Sequence, residues 1–107
     1  MGNSVQNAIS NVNNEIAKIV IDMNAHDLRI LDNAMIELDG TPNKWRLGAN
    51  AILGVSMATV HAAAKSENKP LFEYMHTGEE FILPAPMMNI INGGSHDDNN
   101  VDIQEFM

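Results

Sequence analysis

The sequence has 107 residues, of which 45% are hydrophobic, and its formal net charge is −8 at pH 7. This length and composition suit one small globular domain with a modest core rather than a disordered segment. Residues 70–107 hold seven acidic side chains and no lysine or arginine, so nearly all of the net charge lies there. We therefore expect neither nucleic acid nor an anionic membrane as a partner, because both bind basic surfaces.

Cysteine is absent from the sequence, which rules out disulfide bonds and is compatible with the reducing cytoplasm. The first ten residues lack the apolar core of a secretory signal. No charged residue lies between Arg46 and Lys65, a length that could span a bilayer. However, this segment contains Asn50, Thr59 and His61, so it predicts a buried helix of a protein without a membrane span.

The first half of the chain has the apolar periodicity of helices. A first helix is predicted over residues 3–20, with Asn3 or Ser4 as its cap. A second helix is predicted to begin after Asp27 and to end at Gly40, where glycine suits the left-handed exit. Apolar side chains recur at steps of three and four in both helices: Val5, Ile9, Val12, Ile16 and Ile19, then Leu28, Leu31, Met35 and Leu38.

The third predicted helix, residues 47–66, is apolar nearly all round, which places it at the centre of the helical cluster. His61 lies within it and is expected to be a buried, hydrogen-bonded residue, whereas His26 and His76 are expected in loops. Pro70 ends this region, and a short helix is predicted near residues 71–75. Residues 77–80 then have the composition of a linker.

The last part of the chain has the pattern of two strands around a glycine-broken loop. The apolar run from Met87 to Ile91 predicts the first strand, and Gly93-Gly94 ends it. Val101 and Ile103 restore an alternating pattern for the second. The predicted fold is therefore α+β, with a mostly helical part over residues 1–80 and the two strands within residues 81–107.

Acid–base chemistry could be built from His96 on this loop and Glu105 on the second strand. Composition alone favours simpler interpretations, a solvated loop histidine and an exposed carboxylate at a strand end. Gln104 precedes Glu105, and adjacent residues of a regular strand point to opposite faces. Both would enter one pocket only if the strand twists or ends there. Asn92-Gly93 is also a common two-residue turn signal.

Long stretches of the chain resemble the enolase family. The resemblance is strongest in PMMNIINGGSH and NNVDIQEFM, continues in LDGTPNKWRLGANAILGVSMA, and is looser in ISNVNNEIAKIVI. It implies that residues 1–80 are the helical part of the small N-terminal domain and that residues 81–107 open an enolase-type β/α barrel. Whole enolases are several times longer, so we expect an internal fragment.

The resemblance also implies a function. Enolases are carbon–oxygen lyases that use Mg²⁺ to dehydrate 2-phosphoglycerate to phosphoenolpyruvate in glycolysis. By resemblance, Glu105 is a catalytic carboxylate near the leaving hydroxyl, and His96 and Gln104 contact the substrate. No metal ligand and no proton-abstracting lysine map onto this chain, so we expect it to be inactive alone.

The full-length family forms homodimers, and the isolated chain is expected to self-associate. The alternative is a non-catalytic truncated gene product or an interaction module.

Overall fold

The computed structural model describes residues 5–96 and 98–107. The chain divides into two compact units, Met1–His76 and Thr77–Met107, which we call the helical unit and the strand unit. The predicted domain boundary at residue 80 stays a prediction. The predicted Asn3 or Ser4 cap lies outside the described residues.

The first predicted helix is one continuous helical segment with an irregular middle. Helix α1 is Gln6–Asn11 and helix α2 is Ala17–Val20, and a π-helical segment, Val12–Ile16, joins them. Its Asn13-Asn14 pair has low helix propensity. Ile16 is fully buried, as the periodicity predicted, but Val5 and Ile9 are exposed. The apolar stripe is therefore only partly covered.

Helix α3, Leu28–Asp39, agrees closely with its prediction. Its buried face contains Leu31 and Met35, and Leu38 packs against the same core. Gly40 ends the helix in the left-handed conformation with φ of 69°. Asp27 occupies the N-cap position but makes no side-chain capping bond.

Helix α4, Ala49–Ser66, is the longest element and contacts α1, α3 and the short helix α5, Leu71–Met75. Its end is closed by two backbone bonds, from Asn68 N–H to the Lys65 carbonyl (3.1 Å) and from Lys69 N–H to the Ala64 carbonyl (3.0 Å). With Asn68 left-handed, this pattern is a Schellman motif.

The predicted burial of α4 is wrong for one side of the helix. Ala51, Ile52, Val60, Ala63 and Ala64 are buried, but Leu53 and Met57 on the same helix are more than half exposed. His61 is exposed too, so its predicted burial is also wrong. Only one side of α4 packs into the core. Among the described residues, no helix is long and apolar enough to cross a membrane.

A buried carboxylate orders the loop between α3 and α4. Asp39 is 2% exposed, and it accepts hydrogen bonds from the Leu47 amide (2.7 Å), the Thr41 amide (3.0 Å) and the Thr41 hydroxyl. Arg46 adds a bond from Nε to the Asp39 carbonyl oxygen at 3.0 Å. The loop thus places Leu47 in the core with Ile16 and Met35.

The strand unit contains two very short strands, β1, Ile91–Asn92, and β2, Glu105–Phe106. They pair antiparallel, with Ile91 opposite Phe106 and Asn92 opposite Glu105. The strands predicted from Met87 and from Val101 are therefore much longer than those observed. The helix-then-strand α+β plan itself is confirmed.

Candidate functional site

The candidate site is the loop that connects β1 to β2, with the two strands at its base. Because Asn92 pairs with Glu105, the connection runs over residues 93–104. The alternative of a tight two-residue turn at Asn92-Gly93 is therefore wrong. The loop leaves β1 through Gly93 and enters a short 3₁₀ helix, Gly94–His96.

Two backbone hydrogen bonds hold the glycine pair against the far side of the loop. Gly93 N–H donates to the Gln104 carbonyl (3.0 Å), and Gly94 N–H donates to the Val101 carbonyl (2.8 Å). A Cβ on Gly93 would lie 2.3 Å from the Val101 carbonyl oxygen and 2.6 Å from that of Ile103. Glycine is required at residue 93 because the returning chain passes directly against it.

The side chain of Asn99 closes the base of the loop. Its Nδ2 donates to the Asn92 carbonyl (2.9 Å), and its Oδ1 accepts from the Val101 amide (2.9 Å). The second bond is an Asx turn, in which asparagine bonds to the backbone two residues on. Sequence reasoning missed this role, although the Asn99-Asn100 pair after two aspartates carries the turn signal.

The predicted site residues lie on this loop and on β2. Glu105 is exposed on β2, and its backbone faces Asn92. Gln104 lies at a bend immediately before β2, so the regular alternation of the strand begins after it. The backbone of His96 ends the 3₁₀ helix, while its side chain, like all of Asp97, lies outside the described part of the structure.

The structure therefore brings the GGSH and QEF segments together through their backbones, at the base of one loop. The roles of His96, Gln104 and Glu105 stay predictions. In the described ranges, no group of three or more histidine, cysteine, aspartate or glutamate side chains could hold a metal ion. The described residues thus do not fit a magnesium site.

Comparison with protein families identifies the two parts of the chain. The structure has helices in the first part and two short strands in the second. Residues 1–75 match the model described as the N-terminal domain of enolase, and residues 80–107 match that of the enolase C-terminal TIM barrel domain. The first match alone covers more than half of the sequence, so the chain belongs to the enolase family. At the level of the family, this membership implies a lyase that binds a substrate and generally uses Mg²⁺.

Proposed function

We propose that this chain contributes to the dehydration of 2-phosphoglycerate to phosphoenolpyruvate, the glycolytic reaction of phosphopyruvate hydratase, in the cytoplasm. Membership of the enolase family supports the reaction class. The absence of cysteine is compatible with the compartment. The full protein is proposed to act as a homodimer, as the family resemblance implies.

The observation that carries the proposal is the pairing of β1 with β2. Because Asn92 faces Glu105, the start of the glycine loop and the proposed catalytic carboxylate lie on neighbouring backbone segments. The bond from Gly93 N–H to the Gln104 carbonyl extends this link to the residue before Glu105. A loop and a strand joined in this way can act on one ligand.

In the proposed reaction, a proton leaves the carbon next to the substrate carboxylate, and the hydroxyl on the adjacent carbon leaves as water. By the family resemblance, the Glu105 carboxylate lies near that hydroxyl and supports protonation of the leaving group. His96 contacts the substrate from the loop, and Gln104 contacts it from the bend. Holding the reacting groups in position accounts for the contribution of all three residues.

The proton-abstracting lysine and the magnesium ligands are proposed to lie outside these 107 residues. The family resemblance supports this proposal, because neither the base lysine nor the metal ligands of the family map onto this sequence. The isolated chain is therefore expected to convert no 2-phosphoglycerate in excess Mg²⁺. Product absorbance above that of an enzyme-free control would contradict the proposal that catalysis needs residues outside this sequence.

The site assignment is tested in a longer chain that restores the rest of an enolase around these residues. Glu105→Gln keeps the shape of the side chain and removes its charge, and His96→Ala removes the loop contact. Each should lower kcat at least roughly tenfold, because positioned acid–base groups contribute about a hundredfold or more. Both variants should still bind Mg²⁺, since neither residue is an expected ligand.

Matched controls are available in the same chain. Glu80→Gln changes an exposed carboxylate of the strand unit, and His61→Ala changes an exposed histidine of α4. Both controls should keep wild-type kcat. If Glu105→Gln and His96→Ala also kept it, the site assignment would be wrong while the family membership would stand.

A non-catalytic interaction module is the second candidate function. The exposed apolar side chains of the strand unit favour it: Leu83 is 92% exposed and Ile82 is 88% exposed. Exposed apolar area drives association. Sedimentation of the isolated chain should reveal self-association, whereas a clean monomer with a sharp thermal transition would count against this candidate.

A further inference from the structure

His26 connects three elements of the helical unit through its imidazole ring. It lies in the loop between α2 and α3, far along the sequence from its partners. Its Nδ1 is 3.0 Å from the Tyr74 hydroxyl and 3.4 Å from Glu67 Oε1, and its Nε2 is 3.2 Å from Ser66 Oγ. We call these four residues the His26 junction.

The hydroxyl of Ser66 determines which ring nitrogen of His26 carries the proton. Ser66 Oγ donates its own proton to the Ala63 carbonyl at 2.7 Å. It must therefore accept from His26, so that Nε2 is the protonated nitrogen. The same bond argues against a hydrolytic Ser–His–Glu triad, because a serine nucleophile has to donate its proton to the histidine.

The other ring nitrogen has two competing partners, and its protonation state decides between them. In neutral His26, Nδ1 is an acceptor and takes a hydrogen bond from the Tyr74 hydroxyl. In protonated His26, Nδ1 is a donor, and the Glu67 carboxylate is the stronger partner because hydrogen bonds between charged groups are stronger than neutral ones.

The Glu67 carboxylate can accept hydrogen bonds from His26 and Lys69 at the same time, one on each oxygen. Lys69 Nζ donates to Oε2 of Glu67 at 2.7 Å, whereas His26 faces Oε1. The Lys69 hydrogen bond outweighs the effect of burial and holds the pKa of Glu67 below its ordinary value. The carboxylate is therefore ionised near neutral pH.

We propose that the His26 junction is a proton-driven switch: protonation of His26 moves the hydrogen bond of Nδ1 from Tyr74 to Glu67, and helix α5 loosens as a result. In the neutral state the loop holds α5 through Tyr74. In the protonated state it holds the end of α4 through Glu67, and α5 loses the hydrogen bond between Tyr74 and the loop. The other charged and titratable side chains on the loop before α3, on α4 and α5 and on the residues that follow these helices are Asp22, Asp27, His61, Lys65, Glu67, Lys69, Glu73, Tyr74 and His76.

Amide hydrogen exchange of residues 71–76 tests the switch, with rates corrected for the intrinsic effect of pH. Protection should be roughly two- to tenfold lower at pH 6 than at pH 8, the range for loss of one neutral hydrogen bond. Exchange in α3 reports any global opening and should not follow this change. Equal protection of α5 at both pH values would overturn the proposal.

Three variants are expected to differ in a defined way. His26→Gln should make protection of α5 independent of pH. Glu67→Gln should also remove the pH effect, because the Nδ1–H of protonated His26 then has no charged acceptor and donates to the Tyr74 oxygen instead. Tyr74→Phe should lower protection at pH 8 to the value that the wild type shows at pH 6.

His61→Gln is the matched control, because His61 is exposed on α4 and outside the junction. This variant should keep the wild-type pH effect. A pH effect that persists in His26→Gln would assign it to another group and refute the switch. Nitrogen chemical shifts of the His26 ring give an independent test: above pH 8 they should report a proton on Nε2, and a proton on Nδ1 would refute the assignment.

Discussion

Apolar side chains form a buried core in the helical unit, whereas those described in the strand unit are exposed. Ile16 and Met35 in the helical unit are 0% exposed and share one core with Leu31 and Leu47. In the described part of residues 77–107, Gly93 is the only buried residue. Apolar composition therefore does not produce a core unless the elements are long enough to cover one another.

Element length explains the difference. Helices α3 and α4 have 12 and 18 residues, so each presents several turns of apolar surface to the other. The strands β1 and β2 have two residues each. A two-stranded pair is marginal in water, and stable sheets need further strands or a helix against one face. Backbone hydrogen bonds and side-chain bonds such as those of Asn99 contribute to holding the strand unit, whereas burial of its described side chains contributes little.

The largest expected effect comes from truncating a core side chain. Met35→Ala should lower the free energy of unfolding of the helical unit by about 2–5 kcal/mol, because it removes buried methylenes and leaves a cavity. Met88→Ala is the matched change in the strand unit, where this methionine is 65% exposed, and should cost under about 0.5 kcal/mol. Urea unfolding followed by helical circular dichroism measures both. Equal losses would contradict the contrast between the units.

A smaller effect is expected from the buried carboxylate of the helical unit. Burial raises the pKa of Asp39, but hydrogen bonds from Leu47 and Thr41 and the charge of Arg46 outweigh it and leave this pKa below its ordinary value of 3.8. Because the folded-state value is depressed, the ionised form stabilises the fold above about pH 3.8, and this contribution is lost as the pH falls further.

Asp39→Asn tests this stabilisation. The variant should melt at a lower temperature at pH 7, since its amide group cannot accept all of the bonds that both carboxylate oxygens receive. The melting temperature of the wild type should also fall more steeply below pH 3.8 than that of the variant. Glu37→Gln, an exposed change on the same helix, serves as the control and should follow the wild type.

Local signals in the sequence predicted much of the helical unit. The spacing of Leu28, Leu31 and Met35 predicted the buried face of α3, and Gly40 predicted its left-handed end. The exposure of Leu53 and His61 could not be predicted from an apolar helix, because burial depends on which neighbours are present. The role of Asp39 also escaped prediction, since its partner Leu47 lies eight residues away across an irregular loop.

The candidate site could be predicted only in part. The glycine pair marked the end of the first strand, but the close approach of Val101 and Ile103 to Gly93 depends on cross-strand register. Hydrophobic alternation overestimated both strand lengths, because an apolar pattern does not show how many residues find a backbone partner: only Ile91–Asn92 and Glu105–Phe106 pair among the described residues. His96, Gln104 and Glu105 were distinguished from ordinary polar residues by family resemblance, not by local pattern.

A stabilising change is expected within α4. Gly54 lies in the interior of this helix, and a Cβ added there would meet no atom within 4 Å. Gly54→Ala should raise the free energy of unfolding by about 0.4–1 kcal/mol, because alanine restricts the unfolded chain and favours the helix. Gly40→Ala provides the opposite control: its φ of 69° is unfavourable for alanine, so the same substitution should destabilise.

The smallest expected effect on the helical unit comes from a change that disrupts the strand unit. Gly93→Ala forces a Cβ to within 2.3 Å of the Val101 carbonyl oxygen, so the loop must leave the returning chain. Nuclear Overhauser contacts between Ile91 and Phe106 should disappear, while the unfolding free energy of the helical unit changes by less than about 0.5 kcal/mol. Gly94→Ala is the milder control, because its Cβ would lie 3.5 Å from the nearest atom and only the backbone angle is strained. If Gly93→Ala destabilised the helices as much as Met35→Ala, the two units would have to unfold as one cooperative body.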